Sequence, residues 1–315
     1  MEYNELGSTG LKVSKLAFGT LTISPLQKNL SINESLPVML EAFNCGVNFF
    51  DTAEGYDNYK HLRNFLKHVN RKDVVISTKT YAYSREQAEK SLQKALKEMD
   101  TSYVDLFMLH EQMNEQTIKG HYDAIEYFLE MKEKGLIKAI GISTHFVAGV
   151  KATKYFDAID VVHPIINKAG IGICDGNLEA MEKAIRSLKG SKGVFAMKAL
   201  AGGNLLNTIH EAFNYILNFE GLDSVAIGMQ NKNEVNFNVN KFENKQIHDT
   251  IIKALDFQNR KLHIGDWCVG CGKCVELCQQ EAIKVINRRA VVNYDKCTCC
   301  GYCSRVCDEF CIKII

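Results

Sequence analysis

The sequence predicts an α/β chain: a (β/α)8 TIM barrel followed by a small α+β module that holds metal through cysteine. Two observations carry this. Short β-branched apolar runs alternate with amphipathic helical patterns at a period of roughly 30 residues, the size of one βαβ unit. Of the 12 cysteines, only Cys45 and Cys174 precede Cys268, so the rest crowd into the C-terminal end. Residues 1–245 form the expected barrel, 246–263 a helical linker, and 264–315 the cysteine-rich module.

The bulk composition is that of an ordinary globular chain, 46% apolar and 24% charged. With 38 basic and 37 acidic residues the net charge is +1, which leaves no basic face for a nucleic acid. No run approaches the ~20 apolar residues of a membrane span. The opening MEYNELGSTG lacks the basic and apolar segments of a signal peptide. The expectation is a cytoplasmic protein with neither nucleic-acid nor membrane partners.

The expected barrel strands are 15–18, 48–51, 74–79, 104–110, 139–143, 158–163, 194–198 and 224–228. The expected helices include 34–44, 85–98, 123–134, 177–188 and 210–218. An open doubly wound sheet is the competing architecture. It is disfavoured because no G-x-G-x-x-G phosphate loop follows an early strand.

In a barrel, chemistry gathers at the C-terminal strand ends. The second strand ends in Asp51, within FFDTAEGY, the third in Lys79, and the fourth in His110. Tyr56 follows Asp51 in the loop on the same rim. A lysine ending an apolar strand is costly unless paired, and Asp51 is its natural counter-ion. A phenol titrates near ~10 in water, and a neighbouring ammonium is expected to lower that value. Tyr56 is then the expected proton donor to a carbonyl oxygen, with His110 orienting the carbonyl. Each of these residues alone is more often structural.

The run CVGCGKCVELC places Cys268, Cys271, Cys274 and Cys278 at C-x2-C-x2-C-x3-C, and CTCCGYCSRVC repeats it with Cys297, Cys300, Cys303 and Cys307. Paired zinc knuckles are the plainer alternative, but successive four-cysteine runs at this spacing resemble the bacterial two-cluster ferredoxins. That resemblance implies two 4Fe–4S clusters. It also implies that the fourth cysteine crosses over, giving Cys268, Cys271, Cys274 with Cys307, and Cys297, Cys300, Cys303 with Cys278. The intervening EAIKVINRRAVVNYDK reads as a hairpin turning at Asn287 and Arg288. Gln279 and Asp308 stand where ferredoxins usually have proline. Cys299 and Cys311 are surplus and read as bystanders, and Cys45 and Cys174 as packing residues. The segment 244–262 reads as a packed helix rather than a flexible Gly/Ser linker. Trp267, the only tryptophan, is expected to cover a cluster or fill the domain contact.

Asp51, Tyr56, Lys79 and His110 match the catalytic tetrad of the aldo-keto reductase family in type, order and spacing. YNELGSTGLKVSKLAFGT, AIGIST, AMKALAGGNLL and SVAIGMQNKNEVNFNV resemble its opening hairpin and its cofactor-side segments over residues 3–245. With the cysteine tail, the chain resembles the branch in which such a barrel carries a two-cluster ferredoxin module. The resemblance implies NADP(H) or NAD(H) bound extended across the mouth, with Gly19, Thr20, Asp51, Met197, Lys198 and Leu200 along its path. Ser143 and Asn167 would meet the nicotinamide carboxamide, and Gly228, Glu234 and Asn238 the adenine end. Met197 replaces the usual stacking tyrosine, and His163 a frequent glutamine. Lys198 either meets a pyrophosphate or pairs with an acid. Lys232 is the only cation expected near the adenine end.

A nicotinamide moves two electrons and a cluster one, and no flavin motif bridges them. Three readings follow. The clusters relay electrons between a ferredoxin- or flavodoxin-type partner and the barrel; or the barrel reduces a small carbonyl (or oxidises an alcohol) while the clusters fold the tail; or the barrel is a silent docking scaffold. The intact tetrad weighs against the last.

Overall fold

The computed structural model describes residues 1–247, 255 and 260–315. A hairpin of β1 (Tyr3–Glu5) and β2 (Lys12–Ser14) precedes eight parallel strands. These are β3 (Leu16–Gly19), β4 (Phe49–Asp51), β5 (Val75–Thr80), β6 (Val104–Leu109), β7 (Ile137–Thr144), β8 (Val161–Pro164), β9 (Gly193–Ala196) and β10 (Ser224–Gly228). They close into a barrel, with β10 paired to both β9 and β3. The outer helices include α1 (Ile32–Asn44), α2 (Tyr59–Leu66), α3 (Arg85–Met99), α4 (Glu115–Gly120), α5 (Tyr122–Glu133), α6 (Val147–Ala152), α7 (Leu178–Arg186), α8 (Ile209–Leu217) and α9 (Lys232–Phe242).

Successive strand residues point to opposite faces, so one parity fills the barrel and the other meets the helices. Phe18, Phe50, Ile76, Phe107, Ile140, Val162, Val194 and Ile227 belong to the outer core beneath the helices. Ala17, Phe49, Val75, Met108, Ala139, Val161 and Phe195 fill the interior, and Leu6, Leu11 and Val13 of the hairpin plug its N-terminal end. The same inward parity continues at the C-terminal end through Gly19, Asp51, Lys79, His110, Ser143, His163, Met197 and Gly228.

Four helices went unforeseen. In α9, KNEVNFNVNKF, asparagines alternate with Val235, Phe237 and Val239, a strand-like period of two built from poor helix formers. The helix forms because Asn231 caps it, accepting from the Glu234 N–H, and because Val235, Phe237 and Val239 are all buried. Three others, α2, α4 and α6, are too short for their period to stand out.

In the tail, β11 (Leu262–Ile264) pairs antiparallel with β14 (Ile312–Ile314), and β12 (Ile283–Ile286) with β13 (Arg289–Val292). A short helix α10 (Lys273–Leu277) and a 3-10 turn (Tyr302–Val306) follow the two loops of closely spaced cysteines. The hairpin turns at Asn287 and Arg288, whose φ angles of 49° and 60° are left-handed, as a tight two-residue turn requires. Of the segment 244–262, residues 248–254 and 256–259 lie outside the described residues.

The tail sits on the C-terminal face of the barrel. Gly203, at φ 88°, lets β14 approach so closely that a Cβ there would lie 2.0 Å from the Ile314 carbonyl oxygen. Asn204 Nδ2 donates to the Ile312 carbonyl at 3.3 Å. Phe310 leaves the tail altogether and is buried in the outer core of the barrel. Trp267 does not fill the domain contact: it is 45% exposed and donates to the Glu309 carbonyl at 3.0 Å.

Candidate active site

Asp51 and Lys79 meet because their strands are adjacent, with Asp51 in register with Ser77 two residues before the lysine. Lys79 is 1% exposed, and its ammonium donates to Asp51 Oδ1 at 2.6 Å, Asp51 Oδ2 at 2.8 Å and the Thr52 carbonyl at 2.8 Å. All three ammonium donors are therefore used. Tyr56 ends a 3-10 turn (Glu54–Tyr56) that is held from outside the site. Glu54 accepts from Thr80 Oγ1 at 3.0 Å and Ser91 Oγ at 2.7 Å. The Tyr56 ring stands 5.3 Å from the Lys79 ammonium and 5.9 Å from the His110 ring, edge-on. Glu54 was not foreseen; its signal, an acid in the loop beside Tyr56, is too common to single out.

The expected lowering of the phenol is corrected. Burial, reinforced by the Asp51 and Glu111 charges, holds the Tyr56 hydroxyl well above its ordinary value. Lys79 is balanced by Asp51 at closer range, so its charge does not reach the phenol uncompensated. Tyr56 is a protonated donor at neutral pH. His110 stacks on Tyr81 at 4.6 Å, and its buried Nδ1 has no hydrogen-bond partner among the described residues. Burial, with help from the Lys79 charge, pushes its pKa well below the usual imidazole value, so the ring is neutral. His163 lies on the same rim, stacked on Phe195 at 3.8 Å and hydrogen-bonded to the Phe195 carbonyl, its pKa pushed down to about 3 by burial.

A cavity of about 140 Å³ opens from this rim. Asp51, Tyr56, Gly19, Met197, Lys198, Leu200, Gly228, Glu234 and Asn238 line it, as do Arg260 and the last residues, Ile314 and Ile315. Three expected nucleotide contacts do not line it, because their polar groups are spent within the protein. Thr20 Oγ1 donates to the Asp51 carbonyl at 2.9 Å, and Ser143 Oγ accepts from the Glu111 N–H at 2.9 Å. Asn167 donates to the Ile171 carbonyl at 2.9 Å and accepts from the Ile171 N–H at 3.1 Å, fastening its own loop.

The cations also differ from expectation. Lys232 turns to Glu41 at 3.8 Å, whereas Arg260 reaches Glu234 at 2.5 Å, with both side chains 12% exposed. Lys198, at φ 63°, has no carboxylate within salt-bridge distance among the described residues, so the acid-paired reading is corrected. Burial lowers its pKa to about 8. Lys313 is 2% exposed and donates to the Phe310 carbonyl, its ammonium 3.4 Å from the Phe310 ring centre.

In the tail, the Cys274 thiol has those of Cys307, Cys268 and Cys271 as neighbours. Cys303 has Cys300, Cys297 and Cys278, with Cys274 also near. Cysteines of both runs thus neighbour each of these two thiols. A cavity of about 60 Å³ lies among Cys268, Cys271, Cys274 and Cys307, and Cys311 lines it too. A Cβ on Gly270 would lie 2.4 Å from the Arg288 carbonyl oxygen, so the loop closes this cradle only with glycine. Backbone N–H groups of Ala290 and Ala282 donate to Cys268 and Cys278 sulfurs at 3.5 and 3.3 Å. Four thiols around a cavity, with N–H donors aimed at sulfur, fit a cubane cluster. Cys174 is not a packing residue: it is exposed, beside the Asp308 carbonyl.

Comparison with known proteins agrees with both halves. The model of the "Aldo/keto reductase family" matches residues 15–212, and that of the "4Fe-4S binding domain" matches 263–284. L-galactose dehydrogenase of Arabidopsis thaliana is 28% identical over 65% of this chain and 67% of its own length. Methylglyoxal reductase DkgA of Escherichia coli O157:H7 is 26% identical over 54% of this chain and 64% of its own. The chain spans about half, 49%, of the Bacillus subtilis uncharacterized oxidoreductase YqkF, at 27% identity. A solved aldo-keto reductase of Bacillus halodurans shares the fold, with a TM-score of 0.65 at 21% identity over 80% of this chain and 94% of that one.

Proposed function

Since the chain belongs to the aldo/keto reductase family, we propose that this oxidoreductase interconverts a small carbonyl and its alcohol at the barrel mouth, using NADP(H) or NAD(H). We propose further that it carries two 4Fe–4S clusters, which exchange electrons with a redox partner of ferredoxin or flavodoxin type. The observation that carries the reading is the meeting of Asp51, Lys79, Tyr56 and His110 at one rim, where Asp51 and Tyr56 line the cavity.

Reduced nicotinamide, when bound, supplies a hydride to the carbonyl carbon. The residues of the chain do the rest. Tyr56, kept protonated by burial, gives its proton to the carbonyl oxygen as negative charge develops there. Lys79 is fixed by Asp51 and Thr52, so its charge stands ready beside the phenol and needs no rearrangement as the proton leaves. His110 is neutral and donates or accepts a hydrogen bond at the oxygen without competing as an acid. Gly19, Met197, Lys198, Leu200, Gly228, Glu234 and Asn238 wall the path for the nucleotide, and Lys198, without a carboxylate in salt-bridge distance among the described residues, supplies a cation for its pyrophosphate or for an anionic substrate.

Cys268, Cys271, Cys274 and Cys307 would hold one cluster, and Cys297, Cys300, Cys303 and Cys278 the other. Each bound cluster passes one electron at a time. The loop from Cys307 to Cys311 supports a relay into the barrel, because its Phe310 packs 5.6 Å from the His145 ring and 5.6 Å from the Lys198 ammonium. Oxygen-sensitive clusters would suit a reducing cytoplasm.

The test is an anaerobic titration of the purified holoprotein with NADPH and NADH, followed by turnover of simple aldehydes. Nucleotide binding with carbonyl reduction, the latter lost in Tyr56→Phe, is expected. Failure of both nucleotides to bind at millimolar concentration would sink the reductase reading. About eight irons per chain are expected for two cubanes, and two zincs would overturn the cluster reading.

A further inference from the structure

The two cysteine runs are related by one constant offset, so each residue around one group has a counterpart around the other. Cys278 corresponds to Cys307, α10 to the turn Tyr302–Val306, and β12 to β14. The symmetry breaks at the residue just before those strands. Ala282 follows the crossing cysteine of one run, and Cys311 holds the matching place after the other. The Ala282 N–H donates to Cys278 Sγ at 3.3 Å. At this position only Cys311 adds a thiol; the other surplus thiol, Cys299, stands at the place of Gly270 and donates to the Arg260 carbonyl at 3.4 Å.

That thiol is well placed. Cys311 is 2% exposed, and its Sγ lies 3.3 Å from Cys307 Sγ. It also lines the cavity framed by Cys268, Cys271, Cys274 and Cys307. A cysteine that ligates iron does so as a thiolate, which can only accept. The proton between Cys307 and Cys311 must then sit on Cys311. A donor to a ligand sulfur stabilises the more negative, reduced cluster and so raises its potential.

We propose that the Cys311 thiol belongs to the cluster site of Cys268, Cys271, Cys274 and Cys307, where it hydrogen-bonds the Cys307 thiolate and makes this cluster the more easily reduced of the two. The proposal rests on the two-cluster reading above. It gives electrons an order: one electron from an external donor settles first on the cluster whose loop carries Phe310 into the barrel, with the proton remaining on Cys311.

The test is a potentiometric titration of the anaerobic full-chain holoprotein with dithionite, followed by electron paramagnetic resonance, in parallel with iron analysis. The wild-type protein should hold about eight irons and show two separate reduction waves. Cys311→Ala should keep its iron and move the higher wave down, leaving the lower one in place. The expected change is about tenfold in the reduced-to-oxidised ratio at fixed poise, ~59 mV for one electron. Cys311→Ser retains a donor and should recover part of the shift, which mere filling of space would not do. Unmoved waves with full iron would overturn the proposal. Loss of about four irons in either variant would also overturn it, since Cys311 would then be a ligand itself. A wild-type protein with far fewer than eight irons would instead remove the two-cluster reading, and this proposal with it.

Discussion

The barrel and the tail build their sites in opposite ways. In the tail, each proposed set of ligands comes from a run of closely spaced cysteines plus one residue borrowed from its twin, and small loops with left-handed glycines do the wrapping. In the barrel, Asp51, Tyr56, Lys79 and His110 come from three strand ends and a loop, and they meet only when β4, β5 and β6 pair. On the cluster reading, the tail site would be held together by the metal it binds. The barrel site is held by strand register and by a core of buried aromatic and branched side chains. Breaking the first should empty it, whereas breaking the second should leave an intact fold with slowed chemistry.

The largest effect is expected from Cys274→Ala. This residue is buried in the tail core and belongs to one group while neighbouring the other, so its loss removes a cubane and loosens the tail. Iron content should fall to about half of the eight expected for two cubanes, with loss of visible absorption, while the barrel keeps its helical circular dichroism. Full iron retention would break the contrast.

Next is Tyr56→Phe, which removes the proton donor alone. Carbonyl turnover should drop by about 10²–10⁴ with nucleotide affinity and melting temperature unchanged. Asp51→Asn acts on stability instead. It leaves the Lys79 ammonium buried without its counter-charge, at a cost of about 3–5 kcal/mol, readable by urea denaturation. Lys198→Met should be milder, raising the nucleotide KM about tenfold, worth ~1.4 kcal/mol, with kcat little changed. A kcat effect without a KM effect would move Lys198 from binding to chemistry.

The smallest expected change is a flat pH profile. His110 is held neutral and Tyr56 protonated, so kcat for carbonyl reduction should show no step near the ordinary imidazole value of ~6.5. Stability has the opposite sensitivity. His163 has a folded pKa of about 3, below its unfolded value, so the unfolded chain binds the proton more tightly. Its contribution is fully present above about 6.5 and is lost as pH falls from there toward about 3. A denaturation series across that range checks the sign.

The barrel strands were legible because parallel strands buried on both faces read as apolar runs. The tetrad was legible because each member ends, or closely follows, one of those runs. Helix α9 was not, since its asparagines alternate with apolar residues and only burial of Val235 and Phe237 selects the helix. The nucleotide contacts divide the same way. Gly19 and Gly228 face the cavity by strand parity, but Ser143 and Asn167 turn their polar groups to the backbone, a choice made by neighbours distant in sequence.

Local order along the chain therefore determined the architecture, the four rim residues and the cysteine ligands, because periodicity and spacing are properties of neighbours in sequence. The state of Tyr56, the pairing of Arg260 with Glu234, the isolation of Lys198 and the place of Cys311 beside Cys307 were decided only by the tertiary structure. Charge and hydrogen bonding depend on distance and burial, and both are set by parts of the chain that meet only after folding.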